Sequence, residues 1–184
     1  MNNPPRRIPI RKRSGHVLLE TAFGFMPLMA LIFGIADFSM VMYINSTLQN
    51  AVREGVRFGI TYATTYNGTT YSSQTNAIRA VVEANSGGWV TSTNGPTYIQ
   101  VNYYTPDNLS SPATASQLPK TVNSVLISYL NQSGNVLEVK ISGFPWNWMV
   151  PLPRYMPGTG MTLGASALDV MQGLPVGTST PPNP

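Results

Sequence analysis

The clearest chemical pattern in this chain lies close to its amino terminus. A basic cluster at residues 11–13 is followed by Ser14 and Gly15, and the carboxylate of Glu20 stands five positions after that glycine. A charge at the edge of a lipid-soluble helix costs free energy unless it is paired. The position of Glu20, five residues from a possible cut site at Gly15, therefore suggests a role in subunit assembly.

The rest of the chain lacks the residue combinations of common active sites. His16 is the sole histidine and there is no cysteine, so a histidine-based triad or a Cys/His metal site is excluded beyond the first helix. We predict no enzymatic activity, no metal and no cofactor. The less favoured alternative is a hydrolase with paired carboxylates, drawn from the acids that stand singly after the first helix: Glu83, Asp107, Glu138 and Asp169.

A long apolar segment follows the candidate processing site. Residues 21–44 contain one charged side chain, that of Asp37. At about 1.5 Å per residue they extend roughly 36 Å as a helix, enough to cross a hydrocarbon layer of about 30 Å. A secretory signal is cut after its apolar core, whereas this candidate site precedes it. The sequence therefore predicts a transmembrane helix that stays with the mature chain.

The charge distribution predicts the orientation of this helix. Five of the 11 Lys and Arg residues lie within the first thirteen positions, and basic flanks are retained in the cytoplasm. The remainder is then extracytoplasmic. Removing residues 1–15 takes away five positive charges and no acid, which changes the formal net charge from +4 to −1. The basic pI is therefore no argument for a nucleic-acid partner, and none is expected.

Small residues recur along the predicted continuation of the helix. Ala51, Gly55 and Gly59 stand four apart, which allows another backbone to approach closely. Glycine in a helix loses up to about 1 kcal/mol relative to alanine, so the pattern needs a packing reason. Packing against the chain's own domain is the favoured interpretation, and contact with another subunit is the alternative. Pro27, inside the apolar segment, predicts a kink or local melting.

The segments after the helix predict one modest α+β domain. The fold class is a long N-terminal transmembrane α-helix followed by a small antiparallel β-sheet domain with one or two packed helices. Residues 119–132 fit a short helix, although their β-branched content leaves a strand open. The predicted domains are a basic cytoplasmic leader at 1–15, a transmembrane and amphipathic helix at 16–60, an extracytoplasmic domain at 61–172 and a flexible tail at 173–184. Within the third of these we predict a linker at 61–73, a helix at 73–85 and strands at 97–104, 136–142 and 161–171.

Aromatic residues alternate with prolines over residues 144–157. Proline disfavours the centre of a sheet, so this segment is predicted to be an apolar loop. Covering the domain is the favoured interpretation. The alternative is contact with a partner or with the membrane interface, through Trp146, Trp148 and Tyr155.

Three sequence features together carry a family resemblance. They are residues 15–27 (GHVLLETAFGFMP), Asp37 at the end of the apolar run, and residues 48–58 (LQNAVREGVRF). In this order they resemble the TadE family of pseudopilins from the tight-adherence (Tad/Flp) pilus system. The resemblance implies that a prepilin peptidase cuts after Gly15 on the cytoplasmic side.

The resemblance also implies roles for residues of the mature chain. His16 would become its first residue and Glu20 its fifth, and the Glu20 carboxylate would pair with the free amino terminus of a neighbouring subunit. Glu20, Pro27 and Asp37 are the implied assembly residues. Asp37 is interpreted either as a polar contact between packed helices or, by preference, as a water-facing residue near the outer interface.

The function implied is that of a membrane-anchored minor pseudopilin that helps assemble or prime a Tad/Flp pilus. The chain is longer than a major pilin of this system and has Thr21 where an aromatic is usual, which favours a minor subunit. Its implied location is the bacterial inner membrane, with possible incorporation into a surface pilus. Its implied partners are other pilins and pseudopilins, the peptidase, the pilus assembly platform and membrane lipid. The alternative is an uncleaved single-pass protein whose outer domain binds an envelope partner or a glycan.

Overall fold

A computed structural model of the chain describes residues 14–118, 120–122, 125–127, 129–148, 160–174 and 180–184. Its first element is the helix α1, Ser14–Gly59, which contains Pro27 and continues through it without a break. The predicted local melting at this proline is therefore absent. Loss of one backbone donor is tolerated in apolar helices whose neighbouring turns keep their hydrogen bonds.

The second helix, α2, spans Gln74–Asn85 and packs against the C-terminal part of α1. Ser73 caps its start and accepts a hydrogen bond from the Asn76 amide at 3.2 Å. Beyond its end, Gly87 has a φ of 66°, a conformation that favours glycine. Its apolar face is buried as the periodicity predicts, through Ala77, Ile78, Val81 and Val82.

Three antiparallel strands form the main sheet in the order β3-β6-β7. They are β3 at Ile99–Tyr104, β6 at Val136–Trp146 and β7 at Met161–Val170. Both α1 and α2 contact this sheet, and the core between them includes Leu48, Val52, Ile78, Val82, Ile99, Leu137, Val139 and Ile141. The α+β prediction of a long helix followed by a small sheet domain is confirmed.

Two short hairpins and two short turns lie between these elements. Strands β1, Thr65–Tyr66, and β2, Thr69–Thr70, pair within the predicted linker. Asn67 and Gly68 between them have φ values of 47° and 78°, as a two-residue hairpin turn requires. The helix α3 occupies Gly95–Tyr98, and a 3₁₀ turn occupies Ala115–Gln117.

The second hairpin corrects the predicted helix at 119–132. Strands β4, Lys120–Val122, and β5, Val125–Ile127, pair antiparallel in this segment. The strand alternative is therefore the one that the structure shows for these residues. Their β-branched composition explains the outcome, because such side chains lose rotamer freedom in a helix and fit a pleated strand.

Strand β6 is longer than predicted and includes the start of the aromatic segment. Phe144, Pro145 and Trp146 pair with residues of β7, so the predicted loop does not begin at 144. The pairing of β3 with β6 ends at Ile141. Pro145 therefore has a neighbouring strand on one side, an edge position where its missing backbone donor is tolerated. The predicted loop residues 149–157 lie outside the described residues.

The last residues of the chain are attached to the domain. The Gln74 amide donates to the Asn183 carbonyl at 2.8 Å. The Asn131 side chain donates to the Pro182 carbonyl at 2.8 Å. The prediction of a flexible tail at 173–184 therefore does not hold for residues 180–184.

Candidate functional site

The N-terminal part of α1, residues 15–36 and here termed the anchor half, extends away from the described part of the domain. Its side chains are exposed apart from one partly buried methionine. A Cβ built on Gly15, Gly24 or Gly34 would meet no atom within 4 Å. Among the described residues, the helix Gly15–Gly59 alone is long and apolar enough to cross a membrane. The anchor half therefore offers its surface to lipid or to other helices.

The candidate processing and assembly residues all lie on this free surface. Gly15, His16, Glu20 and Pro27 are exposed. His16 and Glu20 are four residues apart and so lie on one side of the helix. The Thr21 hydroxyl donates to the Val17 carbonyl at 2.8 Å, which satisfies this polar group within the helix. The Glu20 carboxylate remains outside the folded domain.

Asp37 marks the point where α1 meets the domain. It is 2% exposed, so the preferred interpretation of a water-facing residue is wrong. One turn further along, Val41 and then Ile44 and Leu48 are buried in the core. Residues 37–59, here termed the domain half, are thus the part of α1 that carries the fold.

The three small residues spaced four apart, Ala51, Gly55 and Gly59, lie within the domain half. A Cβ on Gly55 would stand 2.5 Å from Val82 Cγ2. A Cβ on Gly59 would stand 2.9 Å from Ile78 Cδ1 and closer still to Leu137. Ala51 is fully buried. These small residues therefore allow α2 and β6 of the same chain to approach α1 closely. This agrees with the favoured interpretation, packing against the chain's own domain.

A buried polar cluster fastens the upper end of α1. The side-chain amide of Gln74, which is fully buried, donates to the Gly59 carbonyl at 2.5 Å. The Asn131 amide donates to the Gln74 side-chain oxygen at 2.5 Å. Because the last carbonyls of a helix have no partner within it, this contact satisfies one of them. Sequence reasoning missed the cluster, since Gln74 and Asn131 alone are 57 positions apart.

The tryptophans come together although they are distant in sequence. The rings of Trp89 and Trp146 meet edge to face with centroids 6.4 Å apart. Trp146 is 7% exposed, which places it in the role of intramolecular cover. Trp148 is partly buried against the core, and Tyr155 lies outside the described residues. Nothing in the local sequence pattern around Trp89 indicates this contact.

The acidic side chains of the domain serve local contacts. Glu138 accepts hydrogen bonds from Asn102 at 2.9 Å and from the Tyr104 hydroxyl at 2.7 Å. The hydrogen bond to Glu138 raises the pKa of Tyr104. Burial raises the pKa of Glu83, and Arg79 offsets part of this effect. Within the described ranges, no three His, Cys, Asp or Glu side chains are grouped to hold a metal ion.

One comparison with known proteins gives a match, and it covers α1. Residues 15–57 match the protein family described as TadE-like protein. The anchor half and most of the domain half are therefore similar to this family. This confirms the predicted resemblance over the segment that contains both halves of α1. No curated protein and no solved structure matches the chain.

The TadE-like match and the apolar helix concern the same part of the chain. They show that the segment similar to the TadE-like family is also the helix that is long and apolar enough to cross a membrane. The matched segment ends within two residues of the end of α1.

Proposed function

We propose that this protein is a minor pseudopilin that takes part in assembling or priming a Tad/Flp-type pilus. The main support is the TadE-like match over residues 15–57, because it covers the candidate processing site and most of the junction with the domain. In this proposal the basic leader is cytoplasmic and a prepilin peptidase removes it in the inner membrane. The domain is displayed on the outer side.

The exposure of the anchor half supports the proposed processing. Gly15 and His16 lie at the free end of α1, with no part of the described domain near them. A peptidase active site at the membrane surface needs such access. Cutting the peptide bond between them by hydrolysis gives a Gly15 carboxylate and a His16 ammonium at the membrane edge.

The proposed role of Glu20 follows from charge pairing. Two opposite charges at the edge of a lipid layer are each costly alone and are tolerated when they meet. Glu20 projects from a helix surface that its own domain leaves open. A neighbouring pilin's amino terminus can therefore neutralise the carboxylate and set the axial register between subunits. Pro27 lies on the same open half, whereas Asp37 acts through the junction with the domain.

Amino-terminal sequencing tests the processing step. After co-expression with a prepilin peptidase, we expect a mature chain that begins at His16 and is shorter by 15 residues, the length of the proposed leader. Gly15→Val is expected to block the cut, and Gly24→Val, a matched change inside the anchor half, is expected to leave it intact. A mature chain that still begins at Met1 would contradict the proposal.

A substitution of Glu20 tests the assembly step separately. Glu20→Gln keeps the size of the side chain and removes its charge, so we expect normal membrane insertion and few or no pili. Glu54→Gln, the same change in the domain half, serves as the control and should preserve pilus number. Normal piliation by the Glu20 variant would remove the role proposed for this carboxylate.

We propose further that the protein has no catalytic activity of its own and acts by association. Its proposed partners are other pilins and pseudopilins, the peptidase and the assembly platform. The alternative of an uncleaved anchor with a binding domain is separated by the same sequencing experiment, since that protein would keep residues 1–15 and act without other pilus components.

A further inference from the structure

We infer that the end of the domain that carries the tryptophans rests on the surface of the bilayer that α1 crosses. The inference rests on membrane anchoring by α1 and holds whether or not the leader is cut. Its occupant is the interfacial zone of the membrane, where lipid headgroups meet the acyl chains.

The length of the anchor half locates the outer boundary of the hydrocarbon. Residues 17–36 are uncharged apart from Glu20, close to the inner end. At about 1.5 Å per residue they span roughly 30 Å, the thickness of the hydrocarbon core. The boundary therefore falls close to Asp37, which is where α1 enters the domain. The unbroken helix leaves no stalk between the two.

Contacts along α1 show which end of the domain faces the membrane. The position of Gly59 meets Leu137, and the position of Gly55 meets Val139. Strand β6 therefore runs towards the membrane as its residue numbers rise. Helix α2 also descends, since Gly87 after its end lies beside Thr47. Trp89, which follows α2, and Trp146, at the end of β6, therefore lie at the end of the domain nearest the membrane, here termed the lower end.

The distance of Trp146 from the hydrocarbon boundary, measured along α1, agrees with contact between this end of the domain and the lipid headgroups. Gly55 is 18 residues above Asp37, or about 27 Å along the helix. Trp146 is seven residues beyond Val139, which at about 3.3 Å per residue brings it up to roughly 23 Å lower than Gly55. A strand parallel to α1 would therefore place Trp146 about 4 Å above the hydrocarbon boundary, inside a headgroup zone of about 5–7 Å. Trp148 is two residues further along the chain.

Exposed apolar side chains surround this lower end. Phe38, Met42 and Tyr43 are 64%, 56% and 60% exposed, and Met161, paired with Trp146, is 38% exposed. We name these four residues, together with Trp148, the membrane-proximal collar. Tryptophan and tyrosine favour the interface because their rings are apolar and their polar atoms keep partners in the headgroup layer. Covalent continuity with the span holds the collar at this depth.

Quenching of the native tryptophan fluorescence tests the inference without any substitution. The full chain is placed in phosphatidylethanolamine and phosphatidylglycerol nanodiscs that contain lipid brominated either near the headgroup or near the methyl end of its chains. Because all three tryptophans of the chain lie at the lower end, we expect quenching about twofold stronger by the shallow bromines.

Two matched substitutions sharpen the result. Tyr43 and Leu168 are each 60% exposed, but Leu168 pairs with Glu138 towards the far end of the sheet. The tryptophan added by Tyr43→Trp should be quenched by shallow bromines, and the one added by Leu168→Trp should not. Native emission that neither lipid quenches would overturn the inference.

Discussion

The two halves of α1 differ in what surrounds them, although they form one continuous helix. The anchor half has open space around Gly15, Gly24 and Gly34, and its apolar side chains are exposed. The domain half has side chains packed so closely around Gly55 and Gly59 that a methyl group would collide with them. The same residue type thus lies on an open helix surface in one half and packs against the chain's own fold in the other. Substitutions in the two halves should therefore affect different properties.

The largest expected effect is on the packed glycines. Gly59→Leu forces a side chain against Ile78 and Leu137, and we expect a loss of about 3 kcal/mol in the free energy of unfolding. Gly34→Leu, in open space of the anchor half, should change it by less than about 0.5 kcal/mol. Chemical unfolding of the full chain in detergent, followed by tryptophan fluorescence, measures both. Equal losses would show that the two halves do not differ.

The next effect concerns the polar cluster at the upper end of α1. Gln74→Leu leaves the Gly59 carbonyl without this donor and Asn131 without one acceptor, and we expect a loss of about 2 kcal/mol. Gln100→Leu makes the same change on the exposed sheet face and should be nearly neutral. The same unfolding assay compares them. An unchanged Gln74 variant would mean that the cluster does not stabilise the junction.

The stability of the domain is also expected to depend on pH, by an amount that is small near pH 10 and grows above it. Burial raises the pKa of Tyr103 from 10.0 to about 12, and contact with Thr75 offsets part of the rise. Above pH 10 the unfolded chain releases this proton while the folded domain retains it. The contribution is therefore complete below pH 10 and is lost as the pH rises towards 12, by up to about 1.4 kcal/mol per pH unit.

A matched pair of phenylalanine variants assigns this pH dependence. Tyr103→Phe should flatten the fall in stability above pH 10, the ordinary value for the phenol, whereas Tyr129→Phe, at a ring 42% exposed, should retain it. Urea unfolding at a series of alkaline pH values provides the measurement. If the slope persists in the Tyr103 variant, another group is responsible.

The smallest expected effect on the fold comes from the anchor half. Pro27→Ala restores a backbone donor in a helix that already continues through this position. We expect the unfolding free energy of the domain to change by less than about 0.5 kcal/mol, because no described domain residue depends on this turn. A large destabilisation would show that the anchor half contributes to the fold after all.

Local sequence patterns were sufficient to predict the elements whose structure is set by residues close together in the chain. The apolar run and the four-residue spacing of Ala51, Gly55 and Gly59 predicted α1 and its packing face. Alternation predicted β3, most of β6 and β7. The hairpin around Asn67 and Gly68 carried a local signal as well, an Asn-Gly pair between β-branched and aromatic residues, but the polar composition of its surroundings favoured a linker.

The remaining features depend on contacts that no local pattern records. Trp89 meets Trp146 because α2 and β6 both descend along α1. Pro145 is tolerated in a strand because β3 has already ended beside it. Asp37 is buried because the domain begins directly at that turn. In each case the deciding neighbour is distant in the chain, so the spacing of nearby residues cannot indicate it.

The absence of a break in α1 has a mechanical consequence. Because the helix is continuous, a displacement of the span along its own axis moves the domain by the same distance. That distance is about 5.4 Å for each helical turn. With the tryptophan end resting on the bilayer, as we infer above, withdrawing the span by two turns would move Trp148 and Met161 out of the headgroup layer and into water. The wavelength of maximum tryptophan emission would then report how far the chain has been withdrawn from the bilayer.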